Sequence, residues 1–191
     1  PTGPSTAVSG TKLLTLQSTR IVDNSASPHA STIGGNVAVS AFGPFLTDAA
    51  YDPEVNGASA YFDGGAALRS ASSNQMVFGT GDFTIEFWAY HNIAAHANMF
   101  PATSRDSINS VANGDFFFQG NATTNEVRFK NDGGTQTTLQ DTSGPFPVKQ
   151  WFHTAAVKEG SALTYYRNGV RLVTASVSGT FGRDNSRITI G

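Results

Sequence analysis

Along much of this chain apolar and polar positions change places every second residue, in short runs, and no window sustains a helical period. The clearest run is FTIEFWAY, residues 83–90. Phe83, Ile85, Phe87 and Ala89 face one way, and Thr84, Glu86, Trp88 and Tyr90 the other. Bulk on both faces predicts a central strand. In QWFHTAAVKEG, Trp151, His153, Ala155 and Val157 alternate with Phe152, Thr154, Ala156 and Lys158. LTYYRNGVRLVTASV sets Asn168-Gly169 between two alternating runs. A two-residue turn of that type needs positive φ at both positions, which Asn and Gly tolerate best, so a hairpin is predicted there. DFFFQG, NEVRFKN and TQTTLQ follow at short spacing, with NDGG (131–134) as the hairpin turn between the last two.

Upstream the pattern is weaker. KLLTLQ, with Leu13, Leu14 and Leu16, predicts a first strand, and STRIVDNSASPH a polar turn region anchored by Ile21 and Val22. GGNVAVSAF predicts a second strand with Val37 and Val39 on one face. Residues 43–57 hold two prolines and little alternation, which predicts a long surface loop. ASAYFDGGAALRS predicts a strand pair broken by a tight turn at Gly64 and Gly65. The Ala/Asn/Ser-rich stretch 92–113 predicts a loop or one helical turn. Many short strands at roughly 8 to 12 residue spacing define an all-β chain: a two-sheet antiparallel β-sandwich or jelly roll.

Composition narrows the function classes. At 191 residues one sizeable β domain is the default. Charged residues are only 14% and the net charge is -2, with Lys and Arg scattered singly. No basic stripe is present to neutralise phosphates, so nucleic acid is not an expected partner. No stretch approaches the roughly 18 apolar residues of a membrane-crossing helix, so membrane insertion is not expected. The absence of cysteine excludes disulfides, Cys zinc sites and thiol nucleophiles. Residues 1–11 begin without Met, are rich in Pro, Gly, Ser and Thr, and read as a linker or N-terminal edge. The other end, RITIG, stops on a strand pattern, and the expectation is a segment of a longer polypeptide.

The sequences AYFDGGAALRS, FGTGDFTIEFWAY, WFHTAAVKEGSALTYYRNGVRL and RITIG, in that order, resemble the laminin G-like, concanavalin A-like lectin/glucanase superfamily. The matching elements are a Phe-Asp-Gly turn, a Phe-Thr-Ile-Glu-Phe-Trp strand, a Trp-x-His-x-Ala strand and a Tyr-x-Asn-Gly hairpin, over about residues 58–191. The resemblance implies a concanavalin A-like jelly roll, with residues 12–191 as the domain. The family closes with a further strand of the type Gly-Tyr-Ile-Asp-Asp-Phe-Arg. Here that strand is expected either beyond Gly191 or from a neighbouring subunit, because an open edge invites pairing. The stretch LLTLQSTRIVDNSASPHASTIGGNVAVSAFGPF resembles the segment that precedes such domains in tail-fibre, horn and capsid-fibre proteins of marine bacteriophages.

Three kinds of site compete. A glycoside hydrolase of the glucanase type needs two carboxylates flanking the scissile bond, about 5 to 5.5 Å apart in the retaining class. After Glu86 the same strand face offers Trp88 and Tyr90, with His91 beyond, so the strand supplies no second acid. A glycan site would stack sugar rings on Trp88, Tyr90, Tyr165 or Tyr166, with Glu86 and nearby amides on the hydroxyls. Against it, aromatic residues in a sandwich more often pack the core. Calcium, common among laminin G-like domains, would take oxygens from turns at Asp63, Asp82 and the Asp184-Asn185 pair. No EF-hand-like spacing is present, and each Asp equally serves its own turn. Histidines 29, 91, 96 and 153 form no ligand pattern, and His153 reads as a structural residue of its strand. Asn121-Ala122-Thr123 fits a glycosylation sequon that a product made in bacteria leaves bare. No Ser-His-Asp arrangement, P-loop or Gly-x-Gly-x-x-Gly is present.

The expectation is therefore a non-enzymatic bacteriophage virion protein, displayed on a tail fibre, spike or capsid appendage. It adheres to host-surface carbohydrate, contacts other virion subunits and, by analogy with fibre proteins, forms a homotrimer. The alternatives are a purely structural decoration or assembly module, a secreted or surface lectin-like domain, and the glycoside hydrolase.

Overall fold

The structure, a computed structural model, describes residues 4–45, 50–73, 77–93, 99–103, 112–120, 124–184 and 187–191. In chain order its elements are β1 (Ser31–Gly34), β2 (Ala38–Ser40), α1 (Pro53–Asn56), β3 (Ser59–Tyr61), β4 (Ala67–Ser70), β5 (Phe83–Tyr90), β6 (Met99–Thr103), β7 (Phe116–Gly120), β8 (Asn125–Lys130), β9 (Gln136–Asp141), β10 (Trp151–Glu159), β11 (Ala162–Arg167), β12 (Val170–Ser176) and β13 (Thr189–Ile190). No helix among the described residues is long and apolar enough to cross a membrane. The chain divides into two compact units, residues 1–71 with 189–191, and residues 72–188.

In the first unit β4 is flanked by β1 and β13, both antiparallel to it, and β2 pairs with β3. Both strands of ASAYFDGGAALRS form, but not with each other. Asp63 Oδ1 accepts from Gly65 N at 3.0 Å, and this turn sends β3 to β2 and β4 to β1. The predicted strand KLLTLQ does not form, because its backbone groups are claimed by turns. Leu14 N donates to Asp23 Oδ1, Leu14 O accepts from Asn24 N, Leu16 O accepts from Ala58 N, and Leu16 sits at φ 66. Asp23 organises this region. Burial alone would raise its carboxyl, but backbone N–H donors from Leu14, His29 and Ser25, with the His29 ring, hold it down at about 2. Within the stretch 43–57 the short α1 forms at Pro53–Asn56.

The second unit is the sandwich. One sheet runs β12-β11-β10-β5, and the other contains β6, β7, β8 and β9 in consecutive antiparallel pairing. Period-two alternation supplies one apolar face to each. Phe116, Phe118, Val127, Phe129 and Leu139 meet Ala156, Leu163 and Tyr165, with Val177 and Phe181 completing the core. Phe83, Ile85 and Phe87 pack against it from β5, where Phe87 meets Phe118 edge-on at 5.0 Å. Each fully buried ring contributes roughly 1.5–3 kcal/mol of burial free energy, so this cluster dominates the unit's stability.

Two expectations change here. FTIEFWAY is the outermost strand of its sheet rather than a central one, and its outward aromatics pack against β10 instead of a further strand. The stretch 92–113 contains the strand β6, which its polar composition concealed. Lys158 falls on the core-facing side of β10 and is buried. Its ammonium donates to the carbonyls of Thr80 and Gly160 at 2.8 Å and of Gly81 at 3.1 Å.

Candidate functional site

Because Phe83, Ile85 and Phe87 point inward, Thr84, Glu86, Trp88 and Tyr90 must point out of the β12-β11-β10-β5 sheet. The register carries this face across the strands. Tyr90 pairs with Trp151, Trp88 with His153, Glu86 with Ala155 and Thr84 with Val157, and Ala155 pairs in turn with Tyr166. Trp88 and the His153 ring lie 5.3 Å apart, and Tyr90 and Trp151 5.5 Å apart. Two aromatic pairs therefore stand side by side, with Trp88, Tyr90 and Trp151 half-buried and His153 buried.

Glu86 is the acid of this row. His153 Nε2 donates to its Oε2 at 3.2 Å, and that hydrogen bond holds the carboxyl below its ordinary range despite partial burial. His153 is itself fixed by the hairpin turn. Its N–H donates to Asn168 Oδ1 at 2.8 Å, and its carbonyl accepts from Asn168 N at 2.9 Å. Asn168 and Gly169 both adopt positive φ, as the Asn-Gly pattern requires.

The predicted residues divide. Glu86, Trp88, Tyr90 and Tyr166 share this face. Tyr165 does not: it is wholly buried on the opposite side of β11, in the core, and burial pushes its phenol up to about 12. A residue sealed between two sheets offers no platform to a sugar. The sequence reading missed Trp151 and the link between His153 and Glu86. Their alternation was visible, but which β5 residue each would oppose depends on strand register.

Carboxylate geometry bears on hydrolysis. The next outward acid on β10 is Glu159, four residues beyond Ala155, which faces Glu86. That is roughly 13 Å along the strand. Paired glycosidase carboxylates stand about 5 to 9.5 Å apart, closer than these two positions lie along the backbone.

Two of the metal candidates, Asp63 and Asp82, are engaged in backbone hydrogen bonds. Asp63 lies in the first unit and holds its own turn. Asp82 Oδ1 accepts from Gly160 N at 2.8 Å, beside the three carbonyls that hold the Lys158 ammonium. The oxygens a cation would use there already face a positive charge, which does not fit calcium. Asp184 is exposed in a turn, and Asn185, His96 and the sequon at 121–123 lie outside the described residues. Among the described residues no group of three or more His, Asp or Glu side chains is placed to hold a metal.

Two facing antiparallel sheets, an aromatic-rich outer face and a core of alternating inward residues define a concanavalin A-like β-sandwich. Residues 56–191 match the profile of the concanavalin A-like lectin/glucanases superfamily, and the chain belongs to that family. Among solved structures it is similar to the binding domain of Paraclostridial Mosquitocidal Protein 1, at 14% identity over 90% of this chain and 41% of that one, with a TM-score of 0.68. The botulinum neurotoxin serotype D binding domain gives 14% identity, 90% and 40% coverage, and a TM-score of 0.63. Domain 4 of AbnA, a GH43 extracellular arabinanase from Geobacillus stearothermophilus solved in complex with arabinotriose, gives 16% identity, 84% and 72% coverage, and a TM-score of 0.56. Identities this low show a shared fold. The chain spans about two fifths of the length of the first two of these structures. Among curated protein sequences none matches.

Proposed function

We propose that this chain is a non-catalytic carbohydrate-binding module whose ligand lies on the outer face of the four-stranded sheet. The observation that carries the reading is the pairing of Trp88 with His153 and of Tyr90 with Trp151, beside a Glu86 carboxylate, on one face of the sheet. Aromatic rings take the apolar face of a pyranose, and a carboxylate accepts from its hydroxyls. Membership of a lectin and glucanase family supports the reading, as does arabinotriose in the structure of AbnA domain 4. The lack of a second acid on β5 beside Glu86 supports binding over hydrolysis. Titration with host polysaccharides tests it: binding that falls at least tenfold in Trp88→Ala, with the fold intact, is the expected result.

In its fuller form the reading places the module on a phage tail fibre, spike or capsid appendage, as a trimer touching other virion subunits. The resemblance of residues 13–45 supports that form. An antibody against the chain labels purified particles if it holds, and particles free of the chain contradict it.

A further inference from the structure

We propose that Arg171 makes this face selective for acidic glycans, its guanidinium receiving the carboxylate of a uronic-acid-type sugar. The proposal rests on the carbohydrate reading of the same face. It starts from an irregularity in β12. The register with β11 shifts between Tyr165 and Tyr166, so that Tyr165 pairs with Val173 but Tyr166 pairs with Arg171. Leu172 is the extra residue of a bulge, and Leu172 and Val173 both pack against the core. Strict alternation back from Val173 would turn Leu172 to solvent and Arg171 inward. The bulge instead sends Arg171 outward beside Tyr166, where it is exposed. Re-aiming one side chain is what such a bulge does to a strand.

Charge gives the second argument. Arg128, Arg167 and Arg183 are each paired with an acid, Glu126, Asp141 and Asp115 in turn. Arg171 has no acid within ion-pair distance among the described residues, and Glu86, the carboxylate of its own row, is engaged by His153. A planar guanidinium with free donors matches a carboxylate through two parallel hydrogen bonds. Position gives the third. Glu86, Ala155, Tyr166 and Arg171 form one row across the four strands. Three interstrand steps of about 4.8 Å separate its ends by roughly 14 Å. Ala155, the smallest side chain of the row, lies buried between the larger ones as a floor. An oligosaccharide resting against Trp88 and Tyr166 brings a substituent within reach of Arg171.

The test uses the full chain with polygalacturonate, alginate and hyaluronan, each beside its carboxyl-reduced form, and compares wild type, Arg171→Gln and Trp88→Ala by calorimetry. The proposal predicts that at least one acidic polymer binds about tenfold more tightly than its reduced counterpart. That preference should shrink in salt, and disappear in Arg171→Gln while affinity for the reduced polymer stays unchanged. Equal binding of acidic and reduced forms overturns the role of Arg171, as does a preference that survives Arg171→Gln, and in either case the face still stands if Trp88→Ala abolishes binding. Binding that survives Trp88→Ala, or no binding to any of the six polymers, overturns the carbohydrate reading of the face and this proposal with it.

Discussion

At Glu86 the ring of His153 donates across one strand gap, and the carboxyl sits lower than an isolated glutamate as a consequence. The sign follows from linkage. A carboxyl whose folded pKa is depressed adds stability above its unfolded pKa, and loses that contribution as pH falls through the folded value. Glu86 is about half exposed, so solvent screens the pair and the effect on stability is small. Its titration is the better readout. Carbon-detected NMR of the Glu86 carboxyl is expected to give a midpoint below 4.5, moving upward in His153→Gln. An unchanged midpoint in that variant would show that the hydrogen bond does not set the ionisation. The same residue illustrates what spacing along one strand can decide. It showed that β5 lacks a second acid, but only pairing with β10 shows how far away Glu159 lies.

Among the elements, β7 is the most tightly constrained at a single point. Gly120 ends the strand beneath Phe146, and a methyl group there would overlap the Phe146 ring. Phe146 is itself stacked on Phe152 at 5.2 Å and buried, so it has little room to retreat. Gly120→Ala is expected to destabilise the protein by about 1–3 kcal/mol, measured by urea unfolding. A loss under about 0.5 kcal/mol, the range of a neutral surface change, would mean that the ring moves freely. Strands β7 to β12 were legible because alternation and turn chemistry agree, most plainly at Asn168-Gly169, which takes the left-handed conformation its residues favour. The failures share a cause. Leu13, Leu14 and Leu16 look like a strand until Asp23, far enough along to be invisible to local pattern, takes the backbone N–H of Leu14. The bulge at Leu172 is likewise silent in VRLVTAS, since an apolar residue suits either side of a strand until its partner's register is known.

For the whole molecule, the sandwich and its family were readable from short motifs in order, and residues 56–191 carry them. The site was half readable: outward Glu86, Trp88 and Tyr90 followed from alternation, Tyr166 joined them, and Tyr165 proved to be core. A period-two pattern says that Tyr165 and Tyr166 part company, but when both are aromatic it does not say which one is buried. We propose that the outer face of the four-stranded sheet binds carbohydrate through its paired aromatics. Calorimetric titration of wild type and Trp88→Ala with host-surface polysaccharide tests this most directly, with circular dichroism confirming that both are folded. Saturable binding by wild type, weakened at least tenfold by Trp88→Ala, is the predicted result. Binding that is unaffected by Trp88→Ala, or a folded wild type that binds no polysaccharide, would contradict it.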